Sequence, residues 1–489
     1  MSQVILMNPS NGMLMDRIDI WPPWALIYIS TDLHKDYSIK IIDQRFDRNV
    51  NQILDNELND DTLCVGVTAL TGLQLKFANE FFYEVKKRMP SVKTVIGGIH
   101  VTSTPDDSIN EPLVDFVVMG DGVNVFNNLV RAIDERSGYD NVKGICYKDN
   151  LGIPKVNPTD NFDDLNELGE LPLHLVDMER YISLENGRRK LIIFSSRGCP
   201  FGCSYCHNSN EYNKNRWRSA SAERTIEFIE LLIKKYAIGF FAFQDDNFWA
   251  KKRRVVEFVS LIEKKDMDIE WGVYGATIVS LKYVTKEIAQ KLKKSGLRKI
   301  LCGIETLSPK IQNIIRKRTD KEDVYSVDKV MSSVGIKMIY SFMSGFPTEN
   351  NEDIKMNINA MFKIKRQSPR NDIGNIKPVI YYPGTGLYNW AIHNGFVPPK
   401  TFDEWSKYSW NNYNALNYPW ISKRRRKFLQ YLYFATLVLN PEYEYINSLT
   451  WKYVCRLLSP FMRLRVKSLY FGYSPILYLL YLLKKLNLT

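Results

Sequence analysis

Three cysteines crowd one short stretch, SSRGCPFGCSYCHN (residues 195–208), where Cys199, Cys203 and Cys206 stand as C-x3-C-x2-C. Thiolates gathered on one loop hold soft metals, and an iron–sulfur cubane closed by protein alone takes four cysteines. Three ligands leave one iron open to another molecule. A structural zinc ion normally takes four protein ligands, and His207, directly adjoining Cys206, is badly placed to be the fourth. Gly198, Pro200 and Gly202 permit the tight wrap that a cluster demands. The remaining cysteines, Cys64, Cys146, Cys302 and Cys455, are isolated and read as core or surface thiols. Seven cysteines, an odd number in a long chain, argue against a disulfide framework and for reduced thiols.

The loop must be carried by something rigid. Near-continuous apolar runs at 191–196, 239–245, 270–275, 299–304, 337–343 and 377–382 alternate with amphipathic segments, the pattern of buried parallel strands joined by helices. Six such units predict a partial (β/α)6 barrel with its site at the C-terminal strand ends, and the cysteine loop follows the first strand. An earlier series at 3–8, 38–43, 63–68, 92–97 and 115–120, with a helical pattern at 74–89, predicts a doubly wound α/β domain. The organisation expected is therefore a doubly wound (flavodoxin-like) domain over 1–140, a turn-rich linker with at most a small hairpin over 141–190, the barrel over 191–400, and a basic, aromatic-rich, mainly helical region over 401–489.

A chain of 489 residues with 45% hydrophobic and 25% charged residues is globular and too long for one ordinary core. Its net charge of +12 suits an anionic partner. The first residues, MSQVILMNPSNG, lack a basic n-region, and no apolar stretch reaches the ~18 residues of a spanning helix. A cytoplasmic protein is expected.

An aromatic residue, Tyr205, immediately precedes the last cysteine, and in this form the triplet resembles the signature of radical S-adenosylmethionine (SAM) enzymes. The resemblance implies a [4Fe-4S] cluster whose open iron binds SAM. It extends through FAFQDDNFWA (241–250), which implies that Asp245 and Asp246 meet the methionine part of SAM. CGIETLSP (302–309) implies Glu305 near the SAM ribose or amino group, FMSGFPTENNEDI (342–354) with Gly345 implies the segment against adenosine, and RKRT (316–319) implies Arg318 near the SAM carboxylate. The N-terminal pieces VGVTALT (65–71), GGIHVTSTP (97–105) and VVMGDG (117–122) resemble the cobalamin-binding domain fused to one class of these enzymes, typified by anaerobic Mg-protoporphyrin ester cyclases and hopanoid methylases. Thr68, Gly97, Gly98, His100 and Gly120 are the residues so implicated. No D-x-H-x-x-G loop is present, which implies cobalamin held without a histidine below the metal, with His100 packing near the corrin tail. Where the class reads G-E-G-E, this chain has Gly120, Asp121, Gly122 and Val123.

The resemblance implies cleavage of SAM to a 5'-deoxyadenosyl radical, hydrogen abstraction from an unactivated carbon, and methyl transfer from methylcobalamin. Ring-forming cyclases share nearly the same motifs, and a non-enzymatic cobalamin sensor is a third reading. Beyond Tyr445 the chain has no Asp or Glu, while Lys452, Arg456, Arg463, Arg465, Lys467, Lys484 and Lys485 lie among Leu, Tyr, Phe and Trp. Such a tail suits the headgroup region of an anionic membrane on its inner face, and with it an apolar, lipid or isoprenoid-type substrate. A flavodoxin or ferredoxin is the expected electron donor, and nucleic acid is not an expected partner.

Overall fold

The structure is a computed structural model that describes residues 1–12, 20–158, 162–408, 417–440 and 449–470. The chain divides into two compact units. The first comprises Met1–Ile182, Ser209–Lys214 and Tyr382–Ala415; the second comprises Ser183–Asn208, Asn215–Tyr381 and Leu416–Thr489.

In the first unit the apolar runs form β1 (Gln3–Asn8), β2 (Ser38–Asp43), β3 (Thr62–Thr68), β4 (Lys93–Gly97) and β5 (Phe116–Val118). They are parallel and ordered β2-β1-β3-β4-β5. Val4, Ile5, Leu6 and Met7 are all fully buried, which is why both faces of this strand read as apolar. The helix Leu73–Arg88 packs Leu75, Ala78, Phe81, Phe82 and Val85 inward at helical spacing. Residues in the segment expected as a linker form an antiparallel hairpin, β6 (Ile145–Lys148) and β7 (Pro154–Asn157), which extends the same sheet beyond β5.

The second unit is built on a curled sheet. β8 (Ser183–Glu185) turns back onto β9 (Arg188–Ile193). The short ribbon β10 (Ser196–Gly198) and β11 (Trp217–Ser219) stands apart from that sheet. The parallel series continues through β12 (Phe240–Phe243), β13 (Glu270–Thr277), β14 (Leu297–Glu305), β15 (Lys337–Ser344) and β16 (Asp372–Pro378), in the order β16-β15-β14-β13-β12-β9-β8. This is the expected half-barrel. Phe243, at the end of β12, packs with Phe248, Phe258 and Trp271 in tilted and edge-to-face contacts, with ring centroids 4.9 to 6.1 Å apart. Phe243 and Phe248 bracket the polar triplet Asp245-Asp246-Asn247 along the chain.

One strand is misplaced by the sequence reading: β16 spans Asp372–Pro378, not 377–382. Its residues DIGNIKP carry no apolar run, and Pro378 withholds the N–H that would continue the ladder. Val379, Ile380 and Tyr381, which follow, are buried outside any strand, with Tyr381 packed on the rings of Tyr418 and Trp420 at 4.5 and 5.2 Å. β16 is also the open edge of the sheet, and the helix Lys423–Val438 covers it. The Thr436 hydroxyl accepts from Ile376 N–H at 3.0 Å and Asn440 donates to the Ile373 carbonyl at 2.9 Å, satisfying edge groups that would otherwise be buried unpaired. Near the start of this helix Arg425 reaches Glu349, whose carboxylate accepts from Gly345 N–H at 2.7 Å and from the Ser344 hydroxyl at 2.6 Å.

Two predictions follow from this edge. Thr436→Val leaves the Ile376 N–H buried without an acceptor and is expected to cost about 1–3 kcal/mol in urea unfolding; a change within measurement error would show that the edge is not sealed by this hydroxyl. Burial raises the Glu349 carboxyl from the ordinary 4.5 to about 7, against the Gly345 and Ser344 hydrogen bonds and Arg425. The folded state therefore holds more protons than the unfolded one between these values, and stability falls as pH rises through that window. Glu349→Gln should melt like the wild type near pH 4 and hold an advantage of up to about 3 kcal/mol at pH 8 by calorimetry. Parallel pH profiles for the two proteins would reject the assignment.

Candidate functional site

In the second unit the site begins where β9 ends. Asp245, one of the residues beyond β12, accepts from Ser195 N–H and the Ser195 hydroxyl at 2.7 Å and from the Ser196 hydroxyl at 2.6 Å. The Arg254 guanidinium donates to the Ser195 and Ala220 carbonyls at 3.3 and 2.9 Å. Burial raises the Asp245 carboxyl above its usual range, opposed by Arg254 and the serine hydrogen bonds. Both Asp245 oxygens are thus spent on the chain that enters the cysteine loop. These bonds give Asp245 a scaffolding role at the entrance to the loop.

Exposed Asp246 accepts from Gly198 N–H at 2.8 Å. Gly198 has φ +81°, and a Cβ there would lie 2.0 Å from the Arg216 carbonyl, so this turn admits only glycine. Asn247, fully buried, donates to Cys199 Sγ at 3.7 Å, and Asn208 donates to Cys206 Sγ at 3.9 Å. The loop closes through a Cys206 N–H to Cys203 carbonyl bond of 3.0 Å, and Ser204 ties it to the helix Pro309–Ile315 through the Ile315 and Ile314 carbonyls.

Burial pushes the Cys206 thiol up to about 12 and also raises Cys199 and Cys203. Thiolates here need a cation, which coordinated iron provides. Among the described residues no three His, Cys, Asp or Glu side chains are grouped to hold a single metal ion. Thiolates that each serve a separate iron need no such convergence. The loop fits a multi-iron cluster.

Beneath the loop, buried Lys317 lies 3.5 Å from Glu305 Oε1 and 3.3 Å from the Tyr205 hydroxyl. Burial alone would lower the Lys317 ammonium, but Glu305 and the neighbouring cysteines hold it above its ordinary value. Glu305 also accepts from the Ser341 hydroxyl at 3.1 Å. It sits at φ +65° beside a register shift between β14 and β15, a local distortion that re-aims its carboxylate. Gly345, at φ +96°, lies at the end of β15. Arg318 is exposed, and Lys317 is the cation turned inward. The reason is Arg316, which adopts left-handed φ 52° at the helix C-terminus and reverses which of the next residues faces the interior. Sequence reasoning missed Lys317 and Asn247. The first was signalled only by its place beside Arg318, the second by a third polar residue directly after the acidic pair.

In the first unit the expected residues gather at the carboxyl ends of β3, β4 and β5. Thr68 pairs in register with Gly97, and Ala69 N–H donates to the Gly97 carbonyl at 2.9 Å. Gly98 has φ +107°, and a Cβ there would fall 2.6 Å from the Ala69 carbonyl oxygen, so the two turns approach as only glycine allows. Gly120 has φ +73°, with the Tyr212 ring where a Cβ would stand, and its N–H donates to Thr102 Oγ1 at 2.9 Å. His100 is buried, bonded through Nδ1 to Thr71 Oγ1 at 2.9 Å and packed edge-on against Trp405 at 5.1 Å. Leu70 on the adjoining loop and Leu73 at the start of the next helix are 50% and 40% exposed, an apolar rim at the sheet edge where doubly wound folds take their ligands. The glycine turns and this rim fit a flat macrocycle.

Residues 193–361 match the model of the radical SAM superfamily, and residues 16–130 match the B12-binding domain. An uncharacterized methyltransferase of Pyrococcus horikoshii is 28% identical over 83% of this chain and 86% of its own length. The anaerobic magnesium-protoporphyrin IX monomethyl ester cyclase of Rubrivivax gelatinosus is 26% identical over 68% of this chain, which spans 61% of that protein's length. The radical SAM methyltransferase TsrM of Kitasatospora setae, solved with cobalamin and a [4Fe-4S] cluster, shares the fold at TM-score 0.66 and 17% identity, covering 82% of this chain and 76% of that one. With the cysteine loop in one unit and the glycine-turned sheet edge in the other, the chain carries a radical SAM domain and a B12-binding domain, which imply a [4Fe-4S] cluster, SAM and cobalamin as its cofactors.

Proposed function

We propose that the protein transfers a methyl group to an unactivated carbon of an apolar small molecule. The observation that carries this reading is the three-cysteine loop held by the Asp245-Asp246-Asn247 triplet, on a chain that also matches a B12-binding domain. When bound, the cluster and SAM supply hydrogen abstraction and cobalamin supplies the methyl group.

Cys199, Cys203 and Cys206 hold the cluster, and the Asn247 and Asn208 amides donate to two of the sulfurs, an arrangement that steadies negative charge on them. Asp246, Glu305, Gly345 and Arg318 are the proposed SAM contacts, with Lys317 fixing the Glu305 carboxylate from below. Asp245 acts through the loop that it holds. Thr68, Gly97, Gly98 and Gly120 shape the cobalamin edge, and His100 braces it from the interior.

The apolar substrate is supported by the helix Leu449–Ser468. Tyr453, Leu457, Phe461 and Leu464 form a stripe at helical spacing and are 62%, 80%, 43% and 70% exposed, while Cys455, Met462 and Val466 on the other side are buried. Exposed Arg456, Arg463 and Lys467 belong to the same helix. An exposed apolar stripe with cations beside it suits an anionic bilayer surface. No helix among the described residues is long and apolar enough to cross a membrane. The apolar run that begins at Pro475 lies outside the described residues.

Anaerobic reconstitution with iron, sulfide and cobalamin, followed by reductant, SAM and membrane lipid extract, should yield both 5'-deoxyadenosine and S-adenosylhomocysteine, and Cys203→Ala should yield neither. Deoxyadenosine alone would favour the ring-forming reaction named for the Rubrivivax relative. The protein should co-sediment with vesicles containing phosphatidylglycerol and not with neutral vesicles, and Leu457→Gln with Leu464→Gln should lower the bound fraction at least fivefold. Equal sedimentation of wild type and variant would remove the membrane from the proposal.

A further inference from the structure

The second unit contains an open groove of about 1730 Å³ that begins at the cysteine loop, where Phe201, Gly202 and Cys203 form part of its wall. Among the described residues, nine Lys and Arg line it against two carboxylates, Asp320 and Asp323. Both carboxylates are engaged: Asp320 caps a helix through Glu322 and Asp323 N–H groups, and Asp323 lies 3.9 Å from Lys282. Arg316, Lys321, Lys363, Arg366, Arg463 and Lys467 are exposed. Lys363 and Lys467 lie over the Tyr325 and Phe362 rings at 3.6 and 5.1 Å, contacts that hold the cations without neutralising them. The groove is wider than the roughly 300–1,000 Å³ that small-ligand pockets occupy. It is also concave, and a bilayer surface is flat.

We infer that this groove is the docking surface for an acidic one-electron carrier protein, which reduces the cluster through the Phe201–Cys203 edge. The inference rests on the radical SAM reading of the loop. In the step one electron leaves the reduced carrier and enters the oxidised [4Fe-4S] cluster; the carrier is oxidised by one electron, the cluster is reduced by one, and no bond or proton moves. Clustered cations of one sign accelerate encounter with an acidic partner and make the rate fall with added salt.

The test uses the reconstituted full chain and a double charge reversal, Lys321→Glu with Arg366→Glu, away from the cysteine loop and from the helix Leu449–Ser468. Reduced flavodoxin serves as the carrier and reduced methyl viologen as a small cationic reductant, with cluster bleaching followed by stopped flow and carrier affinity by titration calorimetry. The expected result is at least a tenfold loss in flavodoxin-driven rate and affinity at low ionic strength, a flatter salt dependence, and viologen-driven bleaching unchanged or faster. Single Lys321→Gln and Arg366→Gln variants should fall between. Undiminished flavodoxin reduction in the double variant overturns the inference, as does a loss of anionic-vesicle binding with carrier reduction intact. Failure of viologen itself to bleach any cluster in the wild type would instead overturn the reading of the loop.

Discussion

A single buried carboxylate organises the chemistry of this protein. Asp245 sits just beyond β12, yet its hydrogen bonds run to Ser195 and Ser196 beyond β9, so two neighbouring parallel strands are tied at the point where the chain leaves the sheet. A charge so deeply buried is tolerated only with its full set of partners, and Arg254 and the serines supply them. The consequence is positional. The cysteine loop starts from a fixed direction, Asp246 holds its first turn, and Asn247 reaches Cys199, so three consecutive polar residues set three successive parts of one loop. Catalytic groups on loops need such bracing, because small displacements weaken positioned chemistry steeply.

The sequence made the architecture legible wherever burial was two-sided. Runs such as VILMN and GFFAF read as strands because both faces are covered, and the cysteine triplet stood out against sparse cysteine use. What escaped was orientation at the level of single residues. Whether Lys317 or Arg318 turns inward depends on the left-handed backbone at Arg316, which composition does not announce. Asp245 and Asp246 look alike in sequence and differ in structure because one is buried against serines and the other is exposed. β16 escaped for a different reason: DIGNIKP lacks an apolar run, and the hydroxyl and amide of Thr436 and Asn440 complete its backbone bonding from a helix some sixty residues later.

The C-terminal region shows how one stretch of chain serves several surfaces. The helix Lys423–Val438 buries Leu429, Leu432, Tyr433 and Phe434 within the second unit, whereas Leu449–Ser468 leaves Tyr453, Leu457, Phe461 and Leu464 exposed. The abundance of aromatic and basic residues that marked this region in the sequence therefore has two physical origins. Part of it closes the open edge of a half-barrel, and part stays outside.

The division of the chain carries a consequence for biosynthesis. The first unit is assembled from three stretches, and the last of them, Tyr382–Ala415, emerges from the ribosome only after most of the second unit. Trp405 and Phe402, which pack on His100, and the Phe402 N–H that binds Glu111, all belong to that late stretch. A nascent chain halted before residue 382 would thus hold a doubly wound sheet with an uncovered histidine and an unmatched acid. The domain that comes first in sequence is the one that must wait for its final segment, and until then it presents its own surface to chaperones.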